Sequence, residues 1–202
     1  MNFPLAEFDE VHVISDLHLG GRPGFQIFGS TAELAWLIDD LRQRPLTRRS
    51  ALVINGDFID FLAQAPPLPF DPEGAAGKLA AIANEPAFAP VFDALRAFTA
   101  TDNRQLIVNL GNHDLEFALP WVRDALIEML SGGNYAARGR ITLALDGAGV
   151  LMRVGGVRVL CVHGNEVDAW NVADYERIRR IGCDLMQGRG VEPWVPNAEA
   201  NS

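Results

Sequence analysis

The stretch QLIVNLGNHD, residues 105–114, is an apolar run of strand length that ends in a glycine and three polar side chains. Two earlier stretches have the same form: VHVISDLH at 11–18 and ALVINGDFID at 51–60. Helical sequence patterns separate them, and apolar strands that alternate with helices are typical of a largely parallel sheet covered on both faces. We therefore predict an α/β fold with strands at 11–15, 51–55 and 105–110.

Helix signals surround these strands. Ser30-Thr-Ala-Glu33 has the form of a capping box, and apolar residues then recur at helical spacing as far as Pro45. A second amphipathic helix begins after Pro120, and residues 171–187 also have a helical pattern. The same spacing predicts that Trp36 and Trp121 belong to the core, whereas Trp170 and Trp194 either pack or line an apolar substrate cleft.

The second half of the chain has a different strand pattern. The apolar runs ITLALD at 141–146, VLMRV at 150–154 and VRVLCV at 157–162 follow in close succession. Gly155-Gly156, between the last two runs, has the sequence of a two-residue hairpin turn. We therefore predict antiparallel strands in this half.

Length and charge narrow the class of protein. A chain of 202 residues with 49% hydrophobic positions can form one core, so we predict a single domain over 1–202, less regular from 171 onwards. A net charge of −9 argues against nucleic acid as a partner. The chain has no leader-like N-terminus and no apolar run of membrane-spanning length, which predicts a cytoplasmic protein.

Polar side chains follow each of four strands, where ligand sites of open α/β sheets form. The side chains combine carboxylates, an amide and imidazoles, a donor set that suits Mn²⁺, Fe or Zn²⁺. In Asp16-x-His18 the two side chains point the same way along an extended segment. The full set is Asp16, His18, Asp57, Asp60, Asn112, His113, Asp114 and His163.

These motifs resemble the signature of the calcineurin-like metallophosphoesterase superfamily. DLH at 16–18, GDFID at 56–60, GNHD at 111–114 and the strand-terminal His163 carry the resemblance, which spans about residues 11–165. SDLHLG and His-Gly-Asn-Glu are more distantly similar to the UDP-2,3-diacylglucosamine pyrophosphohydrolase branch. The resemblance implies a layered β-sheet core flanked by helices, with mixed parallel and antiparallel strands. It also implies hydrolysis of a phosphoester or pyrophosphate in a small phosphorylated substrate, nucleotide-linked substrates included.

Transferred position by position, the resemblance assigns roles to the polar residues. Asp16 and His18 would hold one divalent cation, most simply Mn²⁺, with Fe or Zn²⁺ as alternatives. Asp57 would bridge to a second cation that Asn112 and His163 also hold. The resemblance places the remaining residues around the ions: His113 stabilises or protonates the leaving oxygen, Asp114 accepts the other ring proton of His113, and Asp60 orients ligands. Arg22, just after the DLHLGG stretch, is either a solvated loop arginine or a residue that reaches a substrate phosphate.

One motif of the superfamily is absent from this sequence. A later Gly-His-x-His normally adds one imidazole to each metal, but none of the 39 residues after His163 is a histidine. Three explanations are open: a C-terminally truncated piece of a longer protein, a divergent enzyme that uses water, Glu166 or Asp168 instead, or a non-catalytic binding or regulatory module. The first predicts an exposed sheet edge and a homo-oligomer formed through it.

Overall fold

A four-stranded parallel sheet lies at the centre of the computed structural model, which describes residues 5–45 and 47–190. Strands and helices are numbered along the chain. The order in this sheet is β2-β3-β4-β5, and a second sheet has the order β1-β6-β7. The strands are β1 (Glu7–Phe8), β2 (Glu10–Ile14), β3 (Ser50–Asn55), β4 (Arg104–Asn109), β5 (Ile141–Ala144), β6 (Val150–Val154) and β7 (Val157–Cys161).

The register of the parallel sheet aligns the ends of its strands. Ile14 pairs with Ile54, and Ile54 with Val108, so β2, β3 and β4 end side by side. The three predicted strands are thereby confirmed to within one residue at each end. The polar loops that follow them therefore leave the sheet at one edge.

The hairpin predicted at Gly155-Gly156 is confirmed, because β6 and β7 pair antiparallel with Val154 opposite Val157. The prediction for residues 141–146 was wrong, since β5 pairs parallel to β4. Two α-helices, at residues 120–131 and 135–138, lie between β4 and β5. A strand that returns through a helical crossover runs parallel to the strand it left.

The two sheets face each other across a small apolar layer. Its buried members come from both sheets: Phe8, Ala51, Val53, Ile107, Met152 and Cys161. The parallel sheet is therefore covered on both faces, by the second sheet on this face and by helices on the other. The α/β class with mixed parallel and antiparallel strands is confirmed.

The larger core lies between the helices and the other face of the parallel sheet, where Leu52, Ile54, Leu106 and Val108 are buried. The helices are α1 (Thr31–Gln43), α2 (Ala75–Asn84), α3 (Ala89–Ala100), α4 (Pro120–Ser131), α5 (Tyr135–Arg138) and α6 (Tyr175–Met186). None of the helices in the described ranges combines the length and the apolar character needed to cross a membrane.

The prediction that Trp36 belongs to the core was wrong, because this side chain is 69% exposed. Leu34, Ile38 and Leu41 form the buried face of α1. Position 36 is two residues from both Leu34 and Ile38, which places it about 200° around the helix from each of them. Trp121 does pack against the core, and its indole N–H donates to the Pro72 carbonyl at 2.9 Å.

A buried arginine ties α1 to the sheet at the end opposite the polar loops. Arg104, the first residue of β4, is 1% exposed. Its guanidinium donates to the carbonyls of Leu41 (3.0 Å), Arg48 (3.2 Å) and Arg44. The residue four positions after Leu41 is Pro45, which has no N–H to offer. Arg104 therefore satisfies a helix-end carbonyl that the helix itself leaves without a donor.

Candidate metal centre

The loops after β2, β3 and β4 are joined by backbone hydrogen bonds beyond the sheet. The His18 N–H donates to the Asp57 carbonyl at 2.9 Å, and Leu19 forms a parallel bridge with Ile59. The Phe61 N–H donates to the His113 carbonyl at 3.4 Å. These bonds hold the DLH, GDFID and GNHD segments against one another.

Three candidate ligands have a left-handed backbone although none of them is a glycine. The φ angles are 56° at Asp16, 44° at His18 and 52° at Asp57. Such a conformation costs a non-glycine residue about 1–2 kcal/mol, and the cost is tolerated where the surroundings fix the geometry. Strained backbone is therefore concentrated at residues to which the sequence assigns metal binding.

The Asp57 carboxylate lies at the middle of the candidate site. Its Oδ2 is 3.5 Å from His18 Nε2 and 3.4 Å from His163 Nε2, while its Oδ1 accepts the His113 N–H at 2.9 Å. His163 Nε2 is in turn 3.2 Å from Asn112 Oδ1. Asp57 Oδ2 thus lies close to both candidate imidazole ligands, those of His18 and His163.

The contact between Asp57 and His163 determines the charge states of these two side chains. Burial works to raise the pKa of Asp57, but the contact with His163 and the His113 N–H hold it below its ordinary value. The Asp57 contact raises the pKa of His163 to about 9. His163 Nδ1 lies 2.9 Å from the Asn55 carbonyl, which fixes the ring so that Nε2 faces Asp57.

Two glycines leave the space that the ligands occupy. A Cβ on Gly56, whose φ is +87°, would lie 2.3 Å from His163 Nδ1. A Cβ on Gly111 would lie 2.1 Å from Asp57 Oδ1. Larger residues at these positions would displace the side chains, so the glycines of GDFID and GNHD are needed for close approach.

His113 contacts a different carboxylate from the one that the resemblance implies. Its Nδ1 lies 3.5 Å from Asp60 Oδ2, and this contact raises the pKa of His113. Asp114 is fully buried and accepts the N–H groups of Gly111 (2.7 Å) and Phe58 (2.8 Å). Burial raises the pKa of Asp114 to about 7. Asp114 joins the loops after β3 and β4, while Asp60 is the carboxylate next to His113.

The residues present fit a divalent cation. One ligand atom each from Asp16, His18 and Asp57 lies within 4.8 Å of the others, and His18, Asp60 and His113 form an overlapping group. His18 Nδ1 is buried and makes no hydrogen bond in the described part of the chain, and the nearby Asp60 Oδ2 lies 3.5 Å from it. Carboxylate oxygens with imidazole nitrogens are a donor set for Mn²⁺, Fe or Zn²⁺.

Three other predicted residues, Arg22, Glu166 and Asp168, contact side chains or N–H groups close to them in sequence. The Arg22 guanidinium stacks over the Phe25 ring at 4.4 Å. Glu166 accepts a hydrogen bond from the Tyr175 hydroxyl at 3.4 Å, and Asp168 accepts the N–H of Trp170 at 3.0 Å. Both carboxylates therefore bond to residues that follow them closely in sequence. Trp194 lies outside the described residues.

Comparison with known proteins agrees with this geometry. The model of the calcineurin-like phosphoesterase family matches residues 10–198, which is most of the chain. No curated protein and no solved structure matches it. From the family match, the chain belongs to the calcineurin-like phosphoesterase family.

Proposed function

We propose that this chain hydrolyses a phosphoester bond in a small phosphorylated substrate, with two divalent cations held at the Asp57 centre. The observation that carries the proposal is the position of Asp57 Oδ2, within 3.5 Å of His18 Nε2 on one side and of His163 Nε2 on the other. A carboxylate between two imidazoles is suited to bridge a pair of cations.

The ligand sets follow from the same contacts. Asp16, His18 and Asp57 would hold one cation, and Asp57, Asn112 and His163 the other. Cations bound there would neutralise charge on the phosphoester and favour ionisation of the attacking water. Neutralisation by the cations matters because the protein carries a net charge of −9 and would otherwise repel an anionic substrate.

His113 is the proposed proton donor to the leaving oxygen. Its side chain is 34% exposed and lines a cleft, so a substrate can reach it. The Asp60 contact raises the pKa of His113 and so favours the protonated ring that can donate. Asp60 is then a positioning residue, the role that the resemblance assigns to Asp114.

The experiment measures metal content and hydrolysis on the same protein. The chain is equilibrated with Mn²⁺, Fe²⁺ or Zn²⁺, its bound metal is counted, and hydrolysis of bis-p-nitrophenyl phosphate is followed. We expect up to two bound ions and a rate that Asp57→Ala abolishes. Asp93→Ala, which removes an exposed carboxylate on α3, is the matched control and should leave both unchanged.

Absence of bound metal at millimolar concentrations would refute the proposal and favour a non-catalytic module. Full occupancy without hydrolysis would show that the site binds cations but lacks catalysis. Activity that is the same in Asp57→Ala would place the reaction elsewhere in the protein.

A further inference from the structure

A cleft opens beside the candidate metal centre and shares two residues with it. Asn112 and His113 form one wall of the cleft, whose volume is about 180 Å³. The other walls come from the loop after Asp60, the turn after Asp114 and the segment after His163. The cleft is thus built from continuations of three of the loops that carry the candidate ligands.

The lining of the cleft is mainly apolar. Phe61, Leu62, Leu115, Trp170 and Val172 contribute most of its large side chains. No lysine or arginine occurs among the described residues that line it, so a second phosphate or carboxylate would meet no basic side chain there besides His113, which the leaving oxygen occupies in the proposed function. The remaining ionisable group is the buried carboxyl of Glu116, which already accepts the Asp71 N–H at 3.0 Å.

The position of His113 determines which part of a substrate enters this cleft. In the proposed function His113 gives its proton to the leaving oxygen, so the leaving oxygen must lie against this wall. The group bonded to that oxygen then extends along the same wall, away from Asp57. The cleft therefore receives the alcohol that departs, while the phosphoryl group stays at the cations.

We propose that the substrate of this site is a phosphoester whose leaving alcohol carries an uncharged, largely apolar ring or short branched chain, seated between Leu62 and Trp170. This inference rests on the proposed function. In the reaction, water forms the new P–O bond, the bond from phosphorus to the alcohol oxygen breaks, and His113 supplies the proton that the alcohol takes away.

Size and exposure support this assignment. A cavity of about 150 Å³ holds one benzene ring, so a cleft of about 180 Å³ accepts one ring with a small substituent. Trp170 is 64% exposed and Leu62 is 43% exposed, which leaves apolar surface at the cleft for a ligand to cover.

The test combines kinetics with binding of the product alcohol. Trp170→Ala and Leu62→Ala are compared with Trp36→Ala, which removes a tryptophan of similar exposure from the solvent-facing side of α1. For bis-p-nitrophenyl phosphate we expect KM to rise about tenfold in the two cleft variants, with kcat changed less than about threefold. The control variant should keep both values.

Binding is measured separately by saturation-transfer NMR with 2-phenylethanol and with glycerol, which needs no hydrolysis. We expect saturable binding of 2-phenylethanol that is lost in Trp170→Ala and kept in Trp36→Ala, and no binding of glycerol. Absence of 2-phenylethanol binding, or equal binding by all three proteins, would overturn the inference. If KM is unchanged in the cleft variants while Asp57→Ala is inactive, the inference fails and the proposed function stands.

Discussion

Replacing Gly111 by alanine tests whether the close approach of two loops creates the Asp57 centre. The new Cβ would lie 2.1 Å from Asp57 Oδ1 and 2.3 Å from the Asp57 nitrogen, whereas real Cβ contacts essentially never fall below 3.0 Å. The loops must therefore separate by about 0.9 Å. Asp57 has little freedom to yield, since its carbonyl accepts the His18 N–H and its Oδ1 accepts the His113 N–H, both at 2.9 Å.

The size of the effect follows from that displacement. A misplacement of about 1 Å at a catalytic group costs roughly 10²-fold in rate, and overpacking costs about 1–3 kcal/mol of stability. We expect Gly111→Ala to lower kcat/KM for bis-p-nitrophenyl phosphate about 100-fold and to weaken Mn²⁺ binding measured by titration calorimetry. Urea unfolding of the metal-free protein gives the stability cost.

Gly77→Ala is the matched control, because a Cβ at Gly77 in α2 meets no atom within 4 Å apart from the backbone of its own helix. A glycine inside a helix is less stable than alanine by about 0.5–1 kcal/mol, so this variant should be slightly stabilised and fully active. A Gly111→Ala variant that keeps both its Mn²⁺ affinity and its kcat/KM within about threefold of the unaltered protein would show that close approach at Gly111 is not needed for the Asp57 centre.

Four further outcomes are expected. His113→Ala should hydrolyse substrate about 10²–10⁴-fold more slowly and keep its metal content. His12→Ala, in β2 away from the site, should keep both the hydrolysis rate and the metal content. Equal rates in the two variants would exclude His113 as proton donor. Arg104→Met should lower the free energy of unfolding in urea by about 3 kcal/mol, because buried carbonyls lose their donor, and a loss below about 1 kcal/mol would contradict this. Burial raises the pKa of Glu116 from 4.5 to about 7. Protonated Glu116 therefore makes its full contribution to the free energy of unfolding below about pH 4.5, and this contribution is lost as the pH rises through about 7. The melting temperature of Glu116→Gln should accordingly fall less between pH 5 and 8 than that of the unaltered protein, and parallel curves would count against the shift. Chelation of metal should lower the melting temperature of the unaltered protein and leave that of Asp57→Ala unchanged, and equal responses would remove Asp57 from the binding site.

The strands and the loops that follow them could be predicted because their signals are local. An apolar run that ends in Gly-Asp or Gly-Asn-His marks both a buried strand and the turn after it, as at Asn55 and Asn109. The direction of β5 depended on which strand it met after the crossover, and the sequence of 141–146 holds no information about that neighbour. Proximity in sequence to the hairpin suggested the wrong pairing.

The partner of His113 was missed for a related reason. Asp114 is adjacent in sequence, but the chain enters a 3-10 turn at Leu115, and Asp114 meets the amides of Gly111 and Phe58. Asp60 reaches His113 from another loop, at 3.5 Å. The GDFID spacing showed that Asp60 follows Asp57 closely, but which of the two carboxylates faces the ring depends on how the loops fold together.

The left-handed backbone at Asp16, His18 and Asp57 limits which substitutions this centre accepts. Asparagine tolerates that conformation well, while valine and isoleucine are the least suited to it. A substitution library at position 57 should therefore rank by backbone shape as well as by charge, with Asp57→Asn losing cation binding and Asp57→Val losing the fold of the loop too. Redesign of this site for another cation would best begin from asparagine, histidine and aspartate at these positions, because these residues leave the backbone undisturbed.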